Sequence, residues 1–303
     1  MKIMNYSFHQ VTSCNMCDAS DTAFKVMGQR LNCSQGLNPK GKTGIAVSVI
    51  KCNSCNLIFS SPRPEPRSIS DHYDMEPSEY WKEEYFTIDE SYFLHEINKA
   101  KELLNFQNGM KALDIGGGIG KAHVALTNHG FDTTSIEPSA SFRELAISKH
   151  KIPENKFILS SIEDADLNEN NYDFITFGAV LEHLNNPSES IAKAMSWLKP
   201  GGLIQIEVPS SKHLIAKLYN WYFKLRGTNY VTNLSPMHEP YHLYEFGMES
   251  FQKHATQNNY KIAHFEYMVC SIYNIPSLLH PVLRQIMAAT DTGMQLSIWL
   301  RKN

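Results

Sequence analysis

An α/β fold built on a mainly parallel sheet, with a small four-cysteine module in front of it, is what three features of this sequence predict. Strand-like and helix-like segments alternate after Gly109. A glycine-rich turn, Gly116-Gly117-Gly118-Ile119-Gly120, joins the first such strand to the first such helix. Upstream, Cys14/Cys17 and Cys52/Cys55 form two CxxC pairs. With 42% hydrophobic and 19% charged residues over 303 positions, the chain has the balance of one that folds around buried cores, which excludes wholesale disorder. Lys+Arg 28 against Asp+Glu 31 gives a net charge of -3, so no overall basic field gathers nucleic acid or an anionic membrane. The start, MKIMNYSFHQ, lacks an apolar stretch of signal-peptide length, and runs such as DFITFGAVL fall far short of the roughly 20 residues that span a bilayer. A cytoplasmic protein without membrane insertion is therefore expected.

Residues 1–68 hold five of the six cysteines and no long helical period, which describes a core too thin to fold without a staple. Ile45 to Lys51 and Leu57 to Ser60 read as strands flanking the second CxxC, as in a hairpin. Prolines 62, 64 and 66 then forbid a central strand or a helix. Residues 69–108 are acidic and aromatic and end in a helix candidate, EINKAKELLNF; this linker either packs on its neighbour or forms a lid.

From 109 to 303 the alternation is regular. KALDI, FDTTSIE, KFILS, NYDFITFGAV and LIQIEVPS read as strands, and KAHVALTNHG, PSASFRELAISKH and SESIAKAMSWLKPGG as helices closed by glycine or opened by proline. Helices of this length between strands imply right-handed crossovers and a sheet covered on both faces. Residues 210–247, with a helix near KHLIAKLYNWYFKL and the polar SPMHEPYHLYEF, are too long for passive loop and read as an insertion that builds the acceptor site. MESFQKHATQNN and PSLLHPVLRQIMAA read as further helices, YKIAHFEYMVC and MQLSIWLRK as strands.

The glycine turn carries the sharpest chemistry. Glycines there let ligand atoms approach the backbone where a Cβ would intrude. The spacing is GxGxG, which differs from the dinucleotide fingerprint, and no Gly-Lys-Ser/Thr follows to make a P-loop. Glu137 ends the next strand 17 residues after Gly120, where a carboxylate accepts from the vicinal diol of a ribose. A nucleoside-bearing cofactor across the carboxyl ends of the strands follows from the two together.

DIGGGIG, IEP, SIED and YDFITFGAVLEHLNNP resemble, in that order, the motif series of the class I S-adenosylmethionine-dependent methyltransferases, in particular their small-molecule and sugar-modifying branch. The resemblance covers about Lys111 to Pro209. It implies a Rossmann-like seven-stranded sheet whose last strand, Met294 to Leu300 here, inserts antiparallel beside the sixth. It further implies that Asp114, Gly116, Gly118 and Gly120 hold the methionine and ribose part of S-adenosyl-L-methionine and that Glu137 takes the ribose hydroxyls. Ser161, Ile162 and Glu163 flank the adenine, with Asp164 as an alternative partner, and the backbone from Phe177 to Ala179 faces the sulfonium.

The two CxxC pairs, 34 residues apart, supply the four-thiolate shell that zinc prefers in closed structural sites. Cys14, Cys17, Cys52 and Cys55 are thus the expected ligands of a structural Zn2+. The arrangement also resembles the zinc module ahead of some sugar C-methyltransferases, although the chain ends at Asn303 without their additional C-terminal domain. The reading is therefore O-methylation of a small, carbohydrate-derived acceptor, with N- or C-methylation of a sugar, nucleotide-linked or phosphorylated intermediate as the alternative. His183, after the fourth strand, is the leading base for the acceptor proton, with His238 and His242 as alternatives; a neutral imidazole accepts a proton near pH 7. A zinc-dependent nucleic-acid-binding or RNA-modifying protein is the reading of another class. Lys25, Arg30, Lys40, Lys42 and Lys51 favour it, and the missing basic-aromatic ladder opposes it.

Overall fold

The computed structural model describes residues 6–31, 45–66, 89, 91–238, 240–273 and 275–303. Cys33, Lys40, Lys42, Glu239 and most of the aromatic linker (Tyr73, Tyr80, Trp81, Tyr85 and Phe86) lie outside them. In the cysteine module β1 (Tyr6–His9) pairs antiparallel with β5 (Arg63–Pro66), a two-stranded edge where prolines need not donate to a ladder. β2 (Phe24–Leu31), β3 (Ala46–Cys52) and β4 (Ile58–Ser60) form an antiparallel sheet, and β3 and β4 are the hairpin expected around the second CxxC.

The larger part begins with α1 (Leu94–Leu104). It continues through β6 (Lys111–Ile115), α2 (Lys121–Asn128), β7 (Asp132–Glu137), α3 (Ala140–His150), β8 (Phe157–Leu159) and β9 (Tyr172–Gly178). Next come α4 (Pro187–Trp197), β10 (Leu198–Pro209), α5 (Leu214–Leu225) and β11 (Tyr244–Glu245). α6 (Met248–Gln257), β12 (Tyr260–Met268), α7 (His280–Ala289) and β13 (Gln295–Lys302) close the chain. Seven strands run in the order β12-β13-β10-β9-β6-β7-β8, and β13 lies antiparallel between β10 and β12, as the resemblance implied.

Local sequence explains these boundaries. Ser139 caps α3 by accepting from the Phe142 N–H, and Pro187 opens α4 at its first turn. α4 ends at Trp197 rather than at the Pro-Gly-Gly, which lies inside β10 as an irregularity between Leu198 and Leu203; Gly201, at φ 78, takes the turn. Strands buried on both faces read as continuous apolar runs, and in β13 Leu296, Ile298, Trp299 and Leu300 are fully covered. At the centre of this apolar layer the Thr176 hydroxyl donates to Gln205 Oε1 at 2.6 Å and Gln205 Nε2 donates to Ser297 at 3.0 Å. That ladder across β9, β10 and β13 satisfies polar groups that would each cost about 1–3 kcal/mol if buried alone.

The segment after β10 leaves the sheet and returns through the cysteine module. β11 adds an antiparallel fourth strand beside β4, with Tyr244 opposite Phe59, and Gln29 of β2 bridges Tyr230. Arg63 donates to the Tyr244 hydroxyl at 2.8 Å and to the Asn185 carbonyl at 2.9 Å. One buried cluster accordingly runs from Cys14 and Phe59 through Phe246 and Phe177 to Leu300. Among the described residues no helix is long and apolar enough to cross a membrane.

Candidate active site

The turn after β6 is built from three glycines in the left-handed region, Gly116 at φ 70, Gly118 at φ 50 and Gly120 at φ 82. They differ in what forbids a side chain. A Cβ on Gly116 would stand 2.5 Å from Val180 Cγ2, and one on Gly120 would stand 2.9 Å from Ile152 Cδ1, so both are packing glycines. Gly118 instead turns its N–H to Glu137 Oε2 at 2.8 Å, while Ser139 donates to Glu137 Oε1 at 2.8 Å. Burial pushes the Glu137 carboxyl up, and these two backbone donors pull it back. The acid is thereby fixed at the end of β7, directly against the glycine turn.

Asp114 is 2% exposed and pushed up to about 7, chiefly by burial and further by the nearby Glu137, against a hydrogen bond from Ser135. Ser135 donates to Asp114 Oδ2 at 3.3 Å and sits 2.9 Å from His123 Nδ1. Burial pushes His123 down to about 4, so it stands neutral behind the acid. After β8, the Ser161 hydroxyl donates to Asp164 Oδ2 at 2.9 Å and accepts from the Asp164 N–H at 3.1 Å, which ties the two adenine-side alternatives into one turn. Ile162 is buried beside them and Glu163 is exposed. At the end of β9 the Phe177 side chain belongs to the core, whereas Gly178 and Ala179 are open, with Ala179 at φ 55 and its N–H donated to Glu207 O at 3.2 Å.

The three candidate histidines separate into two sites. His183 and His242 meet edge to face with ring centroids 5.1 Å apart, and their Nε2 atoms lie 3.9 and 3.8 Å from the same oxygen, Glu182 Oε1. The backbone locks this meeting: Leu243 N–H donates to Glu182 O at 2.9 Å, and His242 N–H donates to the Ser235 hydroxyl at 3.1 Å. His238 points elsewhere, its Nε2 3.1 Å from Arg30 Nη2 of β2. A cavity of about 270 Å³ lined by Arg30, Ser235, His238, His242 and Glu245 connects the two. Burial pushes Glu182 up to about 8, and burial followed by the neighbouring His183 pushes His242 down to about 3. Glu182 does not stand out in the sequence, and Arg30 counts there only as one of several local positive charges. The first shares the LEH tripeptide with His183, but only the fold shows that it is buried against a histidine from the insertion.

In the module, Cys14 and Cys55 sulfurs are 3.5 Å apart and those of Cys17 and Cys52 3.7 Å, with all four ligand atoms within 4.8 Å of one another. These are open thiols rather than disulfides. Four sulfurs about 2.3 Å from a tetrahedral zinc would stand about 3.8 Å from each other, so the donor set fits that ion. Hydrogen bonding to Cys55 pushes the Cys14 thiol up and pulls Cys55 down to about 6, the polarisation expected where thiols crowd one point.

A methyltransferase-domain family model matches residues 89–246, just over half of the chain and the stretch that holds the glycine turn, Glu137 and the His183 cluster. The chain belongs to that methyltransferase family. Among relatives, an uncharacterized protein of Mycobacterium tuberculosis is 27% identical over 116 residues, 37% of this chain and 40% of its own length. The ubiquinone biosynthesis O-methyltransferase of Coxiella burnetii is 29% identical over 131 residues, 42% of this chain and 53% of its own. The matched stretch thus spans about half or less of these curated relatives. A crystal structure from Listeria monocytogenes, of a protein assigned as an S-adenosylmethionine-dependent methyltransferase, superposes with a TM-score of 0.51 at 17% identity, over 71% of this chain and 98% of that one. That likeness concerns the fold. Within the family-matched stretch, β11 pairs with β4 of the cysteine module.

Proposed function

We propose that this protein moves the methyl group of S-adenosyl-L-methionine to a hydroxyl of a small acceptor. The observation that carries the reading is the Glu137 carboxylate, held by Gly118 and Ser139 N–H groups beside a turn of left-handed glycines. A ribose diol can donate to the remaining lone pairs of a carboxylate that these two bonds already orient, and the open backbone at Gly178 and Ala179 leaves room for a sulfonium and its neighbour. In the transfer the C–S bond breaks, the C–O bond forms, a neutral thioether leaves, and the hydroxyl proton goes to a base or to water. The cluster of Glu182, His183 and His242 after β9 is the group that handles this proton. Fixed geometry at the strand end supports the assignment.

Two acceptor chemistries are in play. Tyr219, Tyr222, Tyr230, Tyr241 and Tyr244 on the insertion suit hydroxyl recognition and stacking on a carbohydrate-derived ring, while the Coxiella burnetii relative is an O-methyltransferase of ubiquinone biosynthesis. Incubation of the protein with labelled S-adenosylmethionine and two acceptor panels, sugars with their nucleotide-linked forms and phenols, tests both. Label on neither panel, from a protein that binds S-adenosylhomocysteine, would reject O-methylation of a small acceptor.

We further infer that Cys14, Cys17, Cys52 and Cys55 hold a structural zinc. The support is their sulfur spacing and burial, and its role is to staple a module whose own core is thin.

A further inference from the structure

We propose that Glu182, His183 and His242 form a second metal site, one that takes a single hard or borderline divalent cation of the manganese or cobalt kind. Three donors of two types converge there: Glu182 Oε1, with His183 Nε2 at 3.9 Å and His242 Nε2 at 3.8 Å, all within 4.8 Å of one another. Metal–ligand distances of about 2.0–2.2 Å put neighbouring donors about 3.0–3.5 Å apart. Shifts of a few tenths of an ångström at each side chain close the two Glu182–histidine spacings.

The second observation is independent of that spacing. The Glu182 side chain is 2% exposed, and its other oxygen, Oε2, is buried with no hydrogen-bond partner among the described residues. A buried carboxyl oxygen without a partner costs free energy, and a cation held bidentately by the ionised group would give Oε2 the partner it lacks. With the carboxylate bidentate, it and the two imidazoles fill four positions of a six-coordinate sphere and leave two to water or an acceptor oxygen. Among the described residues, the lining of the adjoining cavity offers one cationic side chain, Arg30, which is engaged with His238 at 3.1 Å.

The role of the ion rests on the methyl-transfer reading above, whereas its binding does not. An acceptor hydroxyl bound to a divalent cation loses its proton to water far more readily, so the ion would supply the acidification that an imidazole base supplies in its absence. Mn2+ separates this site from the cysteines, because thiolates select softer ions.

Titration of the full chain with its zinc retained, gel-filtered free of loosely bound metal, with Mn2+, followed by electron paramagnetic resonance, provides the test. One saturable site is expected, weakened at least tenfold in both Glu182→Gln and His242→Gln. The first variant is nearly isosteric and the second keeps a polar group, and a thermal melt together with S-adenosylhomocysteine binding certifies that each is folded. Absence of saturable Mn2+ binding to the parent, or losses below tenfold in both folded variants, overturns the site. If Mn2+ binds as expected and no acceptor is methylated, the metal site stands and the transfer reading falls; if an acceptor is methylated and Mn2+ does not bind, the reverse holds.

Discussion

The backbone N–H of Gly118 donates to Glu137 Oε2 at 2.8 Å, so the glycine turn after β6 and the acid at the end of β7 are already joined without a cofactor between them. Glu137 is 6% exposed and carries a second bond from Ser139, which leaves it one orientation. A ligand that reaches this carboxylate finds it organised, and little ordering has to accompany binding.

Cofactor affinity should depend on both residues. Glu137→Ala removes charge-assisted acceptance worth about 1.5–3 kcal/mol per bond, or roughly 10- to 150-fold in Kd. Gly118→Val places a β-branched residue at φ 50 and a side chain in the path of the ligand, and the same order of loss is expected. Calorimetry with S-adenosylhomocysteine reads both, and unchanged affinity in two folded variants would remove the cofactor assignment.

The cysteine module should not come loose by itself. Its sheet continues into β11, Ser250 donates to the Cys55 carbonyl at 2.9 Å, and Asn15 Oδ1 accepts from the Ser188 N–H at 2.9 Å. Cys52→Ser is therefore expected to lower zinc content and also to weaken the 230–245 segment, lowering the melting temperature of the whole chain rather than of residues 6–66 alone. Elemental analysis finding less than half an equivalent of zinc in unstripped parent protein would contradict the zinc inference. Hydrogen exchange confined to the module would contradict the coupling.

Asp114 sets a pH dependence in the ligand-free protein. Burial holds its carboxyl at about 7 in the fold against 3.8 as the ordinary value, so between those pH values the folded chain keeps a proton that the unfolded chain has released. Its contribution to stability is complete below about pH 3.8 and is lost as pH rises through about 7. Asp114→Asn cannot titrate and removes this slope, whose limit is about 1.4 kcal/mol per pH unit. Urea unfolding at pH 4.5 and 7.5 should show the parent losing on the order of 3 kcal/mol relative to the variant; parallel profiles would show that Asp114 does not govern this window.

What could be read from the sequence follows a physical division. The alternation of strands and helices was legible because β6, β9, β10 and β13 carry short, mostly buried apolar stretches between helical segments, while the seven-strand order with its antiparallel last strand was implied by the resemblance. The glycine turn and Glu137 were legible because their chemistry lies within 22 consecutive residues. β2 was not, since FKVMGQRL exposes Lys25, Val26 and Gln29 and has a weak alternation. β11 is two residues long, and its partner Phe59 lies 185 positions away. Glu182 sits next to His183 in the chain, yet its significance comes from burial beside His242, which only long-range packing decides. His238, equivalent to His242 in sequence terms, turns to Arg30 because β2 passes there.

The separation of the histidines gives them different standing as bases. His242 is pushed down to about 3 and His238 to about 4, both mainly by burial, so both are neutral at pH 7 but are poor proton acceptors. His183, 14% exposed on its side chain and next to the open backbone at Ala179, is the better base by position. Single-turnover methyl transfer at saturating cofactor and acceptor, over a pH series, compares His183→Ala, His238→Ala and His242→Ala. Loss of general-base assistance typically costs about a hundredfold to ten-thousandfold, well above the loss of an ordinary hydrogen bond. A drop of that size in His183→Ala alone, with cofactor binding intact, identifies an imidazole base. Equal drops in His183→Ala and His242→Ala, together with a loss on chelation of the parent, identify a cation held by the pair and Glu182. His238→Ala should change the rate little in either case, because its partner is Arg30. Rates within about threefold of the parent in all three variants would mean that the proton leaves to another group or to water, and that the cluster after β9 is not the acceptor site.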